Sequence, residues 1–459
     1  MAPDLQNYLI LGKNNNKIQN MEYPAMKLHR IALLITTLLL YFNIQPFSSA
    51  YGDSALLEDN PPRLEPLPIA VSLEGMTEPL PLDLLTGVAL EFSGLPGATA
   101  DLYQAEIEDL FAQVAAVVTG SDDPAVRAEK VLLFMHEHLL KVYDVRQTRV
   151  DILVEEGSFN CVSSAVLYLL LCRSIGLKVW AVRTADHAFC RVEAGKTAYD
   201  VETTSPAGFD PGSKKEFKDE FGKVTGFSYV SPANYAGRQE VDERGLLALI
   251  LYNRVAFLSE DREYGAALGP AVDAYTLLGD EESYDRLIVA FSNLASWHGL
   301  HGDYRKGVEL IGQAADSVSH NSTLIKIKSD LLHNWIIELV ENKKLENAAS
   351  LLNDEHYRDF LGRDEWKTLS IYIYQLQARE AAATSFDRAA QIIKNAVTSV
   401  GADPELSRSY EHYVHNHFVQ FFNNQRFVEA DGVIDQGLAF MPRSSLLLKD
   451  KALVAENLD

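Results

Sequence analysis

The strongest constraint on the fold is a 41-residue periodicity in the second half of the chain. Four segments begin with an aromatic residue or leucine and carry a small residue three positions later. These segments are 304–307, 345–348, 386–389 and 427–430, and a fifth, at 264–267, extends the series upstream at a spacing of 40. A period of this length predicts stacked helix pairs, in which each repeat buries its apolar face against its neighbours.

We expect each segment to begin the second helix of a hairpin, with the small residue allowing close helix contact. The pattern is similar to that of tetratricopeptide repeats (TPR), although that family's usual period is shorter, at about 34 residues. The resemblance implies an all-α, TPR-like helical-repeat solenoid over residues 245–459, with longer helices or loops and a protein partner bound by the repeats. The alternative is an irregular helical array.

The first half carries a different signal, centred on a cysteine at the expected start of a helix. Cys161 follows a polar turn at Gly157 and precedes a long apolar run that ends at Gly176. His187 comes 26 residues after Cys161, and Asp200 comes 13 residues after His187. A helix N-terminus favours a thiolate, an imidazole moves protons, and a carboxylate orients the imidazole. The pattern predicts a Cys-His-Asp triad.

Two of these roles have alternatives nearby. Glu202 shares a strand face with Asp200, so it is the substitute carboxylate. Asn160 is either a side-chain donor to an oxyanion or the N-cap of the helix, and the Cys161 backbone N–H is the expected oxyanion donor. Strand alternation turns Cys190 away from His187. Cys172, in an apolar helix, and Cys190 are predicted core residues, and whether they pair with each other is left open.

The surrounding elements predict an α+β domain. We expect helices over about 100–118 and 125–142, the latter starting with Asp123 as N-cap and Pro124 in the first turn. Strands are expected over 179–183, 187–192 and 197–202, forming an antiparallel meander after the cysteine helix. Residues 51–100, rich in proline, predict an extended lead-in with one short strand.

Residues 157–204 resemble the transglutaminase-like superfamily. The similarity rests on Gly-x-x-x-Cys at 157–161, Asp-His-Ala-Phe at 186–189 and Tyr-Asp-Val-Glu-Thr at 199–203. It implies a papain-like core over residues 101–240, with the cysteine at a helix start and the histidine and aspartate on adjacent strands. Asn160 stands where animal enzymes of the superfamily carry tryptophan, and Val201 replaces a proline. These departures weaken any inference of protein cross-linking.

The resemblance implies amide hydrolysis or acyl transfer on a peptide or protein substrate. One alternative is a catalytically inactive scaffold that acts as a protein interaction module, and another is a cell-envelope peptide amidase. Three cysteines without paired spacing do not indicate a zinc site, and no compact acidic loop has calcium-ligand spacing. No cofactor or metal is therefore expected. The net charge of −23 argues against nucleic acid as a partner.

The first 50 residues predict a signal peptide. Lys27 and Arg30 precede an apolar run at 31–41, and the small residues Ser48 and Ala50 fit a cleavage site. The mature chain would start near residue 51, and residues 1–25 would be a misassigned leader before Met26. No stable membrane span is expected after cleavage, with an uncleaved anchor as the alternative. We therefore expect a secreted or periplasmic protein.

Overall fold

The computed structural model describes residues 61–95, 97–184, 187–213, 237–314, 318 and 320–458, which are mostly helical with a small sheet region. The chain divides into two compact units, Met1–Leu294 and Ala295–Asp459. The predicted signal segment, 1–50, lies outside the described residues, so export stays a prediction. Among the helices of the described ranges, none has the length and apolar character needed to cross a membrane.

The first unit combines helices with short strands. In chain order its elements are α1 (Pro68–Leu73), α2 (Leu82–Phe92), α3 (Gly97–Val117), α4 (Pro124–His138), β1 (Val142–Tyr143), α5 (Val150–Glu156), β2 (Ser158–Phe159), α6 (Cys161–Ser174), β3 (Val179–Arg183), β4 (Ala188–Ala194), β5 (Thr197–Val201), a 3-10 turn (Pro211–Ser213), β6 (Gln239–Val241), α7 (Glu243–Glu260) and α8 (Tyr264–Leu278).

The predicted lead-in at 51–100 is wrong over its described part, which is helical rather than extended. Pro68 occupies the first turn of α1, and Pro81 lies just before α2. Proline is well tolerated at these positions because the first N–H groups of a helix have no intrahelical partner. The apolar face of α2, including Val88 and Phe92, is fully buried in the core of the unit. These prolines therefore mark helix starts.

The elements around the cysteine follow the predicted order. Asp123 caps α4 by accepting a hydrogen bond from the Ala125 N–H at 2.9 Å. Helix α6 begins at Cys161 and packs against β3 and β4. The sheet has the strand order β5-β4-β3-β6, and each neighbouring pair is antiparallel. The predicted meander is confirmed, and β6 adds a fourth strand that the sequence did not indicate.

The predicted boundary near residue 245 is wrong, because α7 and α8 belong to the first unit. Leu247 and Leu251 of α7 are buried in the same core as α6. Asp273 of α8 is buried and binds the Arg63 guanidinium, with Nη1 2.8 Å from Oδ1 and Nη2 2.5 Å from Oδ2. Glu243 of α7 accepts a hydrogen bond from the Leu80 N–H at 2.7 Å. These bonds and the shared core tie both helices to the N-terminal segment.

From Glu281 onward every described element is a helix. These helices are α9 (Glu281–Leu300), α10 (Tyr304–Gly312), α11 (Ser322–Glu341), α12 (Leu345–Asn353), α13 (Glu355–Leu361), α14 (Arg363–Ala382), α15 (Phe386–Val400), α16 (Pro404–Asn423), α17 (Phe427–Phe440) and α18 (Ser445–Ala455).

The 41-residue period is a period of helix starts. The four predicted positions, 304, 345, 386 and 427, are the first residues of α10, α12, α15 and α17. Helices α11, α14, α16 and α18 begin at 322, 363, 404 and 445, which also recur every 41 residues. Three of these, α11, α14 and α16, are each 20 residues long. Long helices therefore account for a period longer than that of tetratricopeptide repeats.

Three of the turns before the repeat positions share one geometry. Gly302, Lys343 and Gln425 have φ values of 79°, 59° and 59°. The N–H of each following residue donates to the carbonyl five residues earlier, in the pairs Asp303–His298, Lys344–Leu339 and Arg426–Phe421. This is the Schellman arrangement, which satisfies the last carbonyls of the preceding helix. The same local turn thus sets where the next helix begins.

The small residue of each repeat is buried, as its spacing predicts: Gly307, Ala348, Ala389 and Ala430. In α17, Ala430 is fully buried, whereas Ala439 is exposed. We expect Ala430→Leu to lower the free energy of unfolding by about 1–3 kcal/mol, because a larger side chain overpacks the helix contact. Ala439→Leu, in the same helix, should change it by less than about 0.5 kcal/mol. Urea unfolding followed by circular dichroism measures both, and equal effects would contradict the close-contact role.

Candidate active site

Cys161 lies at the first position of α6 because the preceding chain is held in a narrow turn. Gly157 ends α5 with φ of 83°, and a Cβ there would lie 2.5 Å from the Leu139 carbonyl oxygen. The next two residues form β2, which pairs in parallel with β1 and aligns Phe159 with Tyr143. The helix then starts at once. Cys161 is half-buried, so its thiol lies at the edge of the core rather than inside it.

Asn160 caps the helix, which decides between its two predicted roles. Its Oδ1 accepts hydrogen bonds from the backbone N–H groups of Val162 at 2.9 Å and Ser163 at 3.0 Å. Its Nδ2 donates to the Val145 carbonyl at 3.1 Å, so both ends of the amide are engaged. The Ser163 hydroxyl completes a capping box by accepting from the Asn160 N–H at 3.0 Å. The N-cap interpretation is confirmed.

The capping box leaves one backbone donor at the helix start. The Ser164 N–H donates to the Asn160 carbonyl at 3.1 Å, and the two preceding N–H groups bind the Asn160 side chain. Within the described part of the chain, no group accepts a hydrogen bond from the Cys161 N–H. The first N–H groups of a helix have no intrahelical partner, so this N–H is available to a group that binds at the helix start.

His187 and Glu202 form a buried pair beside Cys161. The His187 Nε2 lies 2.6 Å from the Glu202 Oε2, and the two residues are 8% and 3% exposed. The Cys161 thiol lies close enough to the His187 side chain to raise its pKa. Because Nε2 binds Glu202, the ring nitrogen available to the thiol is Nδ1. The structure thus brings a thiol, an imidazole and a carboxylate together in that order.

The charge state of His187 follows from these neighbours. Burial lowers the pKa of His187, but the Glu202 carboxylate and the Cys161 thiol raise it by more, so the pKa lies well above its ordinary value of 6.5. These two neighbours therefore favour the protonated form of the imidazole. An adjacent imidazolium stabilises a thiolate and can later give a proton to a leaving amine.

Asp200 does not contact His187, so its predicted role in the triad is wrong. Its carboxylate binds the Arg238 guanidinium, with Nη1 2.6 Å from Oδ2 and Nη2 2.5 Å from Oδ1. The strand register is the reason. Asp200 pairs with Arg191 on β4. Arg191 comes four positions after His187, which is about 13 Å along a strand.

The same register brings Glu202 to the histidine. The β4–β5 ladder pairs Cys190 with Val201, so one further step along the strands sets Glu202 opposite Phe189. Cross-strand neighbours lie on one face of a sheet, and His187 is the next residue on that face after Phe189. The alternative carboxylate named from the sequence is therefore the one that pairs with the histidine.

A tight turn after β5 holds Glu202 in place. Its Oε1 accepts hydrogen bonds from the Thr204 N–H at 3.2 Å and the Thr204 Oγ1 at 2.8 Å. Its own N–H donates to the Gly208 carbonyl at 2.8 Å. The neighbouring Thr203 is bound by Ser164 of α6, with their hydroxyls 2.8 Å apart. These contacts orient the Glu202 carboxylate through Oε1 and leave Oε2 bound to the imidazole.

Two further polar side chains near the site were not identified from the sequence. His136 of α4 has Nε2 3.1 Å from the Thr203 carbonyl, and burial lowers its pKa, so it is a neutral donor. Tyr143 of β1 has a buried hydroxyl. Burial and then the nearby Cys161 and Glu202 raise the pKa of Tyr143. Neither residue belongs to a recognisable motif, and only the tertiary fold brings them to the cysteine.

The other two cysteines are core residues, as predicted. Cys172 and Cys190 are fully buried, and neither they nor Cys161 form a disulfide. Burial raises the pKa of Cys172 to about 12 and that of Cys190 well above its usual range. The Cys190 Sγ lies 3.4 Å from the Ala165 carbonyl of α6, on the opposite sheet face from His187. Across the described residues, no group of three or more His, Cys, Asp or Glu side chains is arranged to hold a metal ion.

Comparisons with known proteins add little. No protein-family model matches the chain, and no curated protein sequence does. Among solved structures, the chain is similar to a crystal structure of menin that reveals the binding site for Mixed Lineage Leukemia (MLL) protein, with 10% sequence identity and a TM-score of 0.32. The match covers 87% of this chain and 98% of that chain. A TM-score this low carries no argument about fold or function.

The position of Glu202 depends on a glycine that tolerates no side chain. A Cβ on Gly208 would lie 1.9 Å from the Glu202 carbonyl oxygen and 2.8 Å from that of Ser205. Gly208→Ala should therefore displace Glu202, slow alkylation of Cys161 at pH 6 by at least about tenfold, and destabilise the chain by about 1–3 kcal/mol. Gly265→Ala is the control, because no atom lies within 4 Å of a Cβ there. Peptide mass spectrometry and thermal unfolding measure the two effects. Wild-type values for Gly208→Ala would contradict the role of this turn.

The two carboxylates should differ in their effect on His187. Glu202→Gln removes the charge that raises the pKa of His187, so this pKa should fall and the imidazolium should be lost at lower pH. Asp200→Asn should leave the pKa of His187 unchanged, because Asp200 binds Arg238. Titration of the ¹³Cε1 shift of His187, assigned with His187→Asn, measures both. A larger change in the pKa of His187 from Asp200→Asn than from Glu202→Gln would instead support the predicted triad with Asp200.

Proposed function

We propose that the protein is a thiol-dependent acyltransferase or hydrolase acting on amide bonds, with Cys161 as nucleophile. The observation that carries the proposal is the His187–Glu202 pair buried beside the only half-buried thiol of the chain. A thiol, a protonated imidazole and an orienting carboxylate are the three groups that nucleophilic acyl transfer requires.

The reaction follows from the geometry. The Cys161 thiolate attacks the carbonyl carbon, and the carbonyl electron pair moves to oxygen, which the Cys161 N–H stabilises. His187 donates its proton to the leaving amine as the tetrahedral intermediate collapses. Water or a second amine then attacks the thioester with His187 as base, and the thiolate is regenerated. Glu202 keeps the imidazole in the productive orientation throughout.

The similarity of residues 157–204 to the transglutaminase-like superfamily supports the same reaction class. The helix that begins at Cys161 and the antiparallel strands behind it are compatible with a papain-like core. We propose a peptide or protein as substrate, with the TPR-like helix pairs of the second unit binding a protein partner. Export to a secreted or periplasmic location is part of the proposal.

The test is the reactivity of the three cysteines at pH 6. Iodoacetamide should alkylate Cys161 at least about tenfold faster than free cysteine in the same buffer, and Cys172 and Cys190 more slowly than free cysteine. His187→Asn should abolish the advantage of Cys161. His138→Asn should not, because His138 is an exposed residue whose side chain is 50% accessible.

A second measurement separates an enzyme from a scaffold. p-Nitrophenyl acetate should acetylate Cys161, with a burst of p-nitrophenolate and a mass increase that Cys161→Ala abolishes. A thiol of ordinary reactivity and no acetylation would overturn the enzyme proposal and favour the inactive scaffold.

A further inference from the structure

Tyr143 is a buried donor with no assigned role in the reaction. Its hydroxyl is shielded from solvent, and in the described part of the chain no group forms a hydrogen bond with it. A buried hydroxyl without a partner costs about 1–3 kcal/mol. Such a cost is tolerated at sites where the missing partner arrives with a ligand or a reacting atom.

The position of Tyr143 indicates what that partner is. Strand β1 pairs with β2, and the register sets Tyr143 beside Phe159, two residues before Cys161. The Tyr143 and Phe159 rings meet edge to face with centroids 5.7 Å apart, which fixes the tyrosine. The neighbouring Val142 is 60% exposed, so the strand runs along the surface while the tyrosine hydroxyl is turned inward.

We propose that the Tyr143 hydroxyl is a second oxyanion donor, acting with the Cys161 N–H on the carbonyl oxygen of the substrate. The inference rests on the proposed acyl-transfer function. When the Cys161 Sγ bonds to the carbonyl carbon, the carbonyl electron pair moves to oxygen, and the Tyr143 O–H donates a hydrogen bond to it without losing its proton. Collapse re-forms the C=O bond and expels the leaving group.

The environment of Tyr143 suits a donor that stays protonated. Burial, the Cys161 side chain and the Glu202 carboxylate all raise the pKa of Tyr143, in that order of size. The raised pKa favours the neutral phenol, which can donate its hydrogen. Asn160, the other side-chain candidate, is excluded because its Nδ2 donates to Val145 and its Oδ1 caps the helix.

The test separates thiolate formation from oxyanion stabilisation. Alkylation by iodoacetamide displaces iodide and forms no oxyanion, whereas acetylation by p-nitrophenyl acetate passes through one. Tyr143→Phe should therefore leave the alkylation rate of Cys161 at pH 6 within about twofold of wild type. It should slow acetylation of Cys161 by about 10²–10³-fold.

Tyr252→Phe is the matched control. The Tyr252 hydroxyl is also buried with no hydrogen-bond partner among the described residues. Burial, and then Asp280 and Glu282, raise the pKa of Tyr252, and Cys161 is not among the causes. This variant should retain both wild-type rates.

Each outcome has a distinct meaning. Equal acetylation of wild type and Tyr143→Phe would overturn the donor role and leave the proposed function intact. A parallel loss of alkylation and acetylation in Tyr143→Phe would show that the tyrosine positions the thiol, and would also overturn the donor role. A wild-type chain that is neither preferentially alkylated nor acetylated at Cys161 would overturn the proposed function together with this inference.

Discussion

The candidate site depends on a carboxylate and an imidazole buried side by side. Desolvation of two charges is costly, and an ion pair compensates for it only when hydrogen bonds satisfy the remaining polar atoms. Glu202 meets this condition, because one oxygen binds His187 and the other accepts two hydrogen bonds from Thr204. The turn at Gly208 and the Ser164–Thr203 bond hold the same segment against α6. These contacts fix the position of the pair.

The hairpin between β4 and β5 determines which carboxylate can take this role. The ladder closes with Ala194 opposite Thr197, so only Gly195 and Lys196 form the turn. Such a turn fixes the register of the whole hairpin. Glu202 then lies next to His187, whereas Asp200 lies beside Arg191 and binds Arg238. The predicted strand ranges leave the length of this turn open, and a one-residue shift in the pairing moves a different carboxylate next to His187.

Local patterns were sufficient where one residue sets a boundary. The aromatic or leucine residues at 304, 345, 386 and 427 mark helix starts, and Asp123 and Asn160 cap the helices that follow them. Local patterns gave the wrong structure where burial in the tertiary fold determines the conformation. The prolines at 51–100 indicated an extended chain, yet Pro68 and Pro81 are compatible with helix starts, and burial of Phe92 selects the helix. Helix α8 carries a repeat-like start at Tyr264, but its buried Asp273 binds Arg63 in the first unit. Contacts between residues this far apart in the chain cannot be predicted from the local composition of either segment.

Helix initiation and the proposed chemistry use the same few atoms at the start of α6. An N-cap of this type contributes about 1 kcal/mol to stability, so the arrangement is favourable even without catalysis. The capping box also leaves some backbone N–H groups at the helix start bonded and one of them without an acceptor among the described residues. Asn160 takes the N–H groups of Val162 and Ser163, and the N–H of Cys161 is left facing the end of the helix. A donor that is already ordered by the fold needs no reorganisation when negative charge develops next to it. Cys161 is therefore the one cysteine whose thiol has an imidazole on one side and a preformed hydrogen-bond donor on the other, whereas Cys172 and Cys190 are fully buried and burial raises the pKa of both thiols.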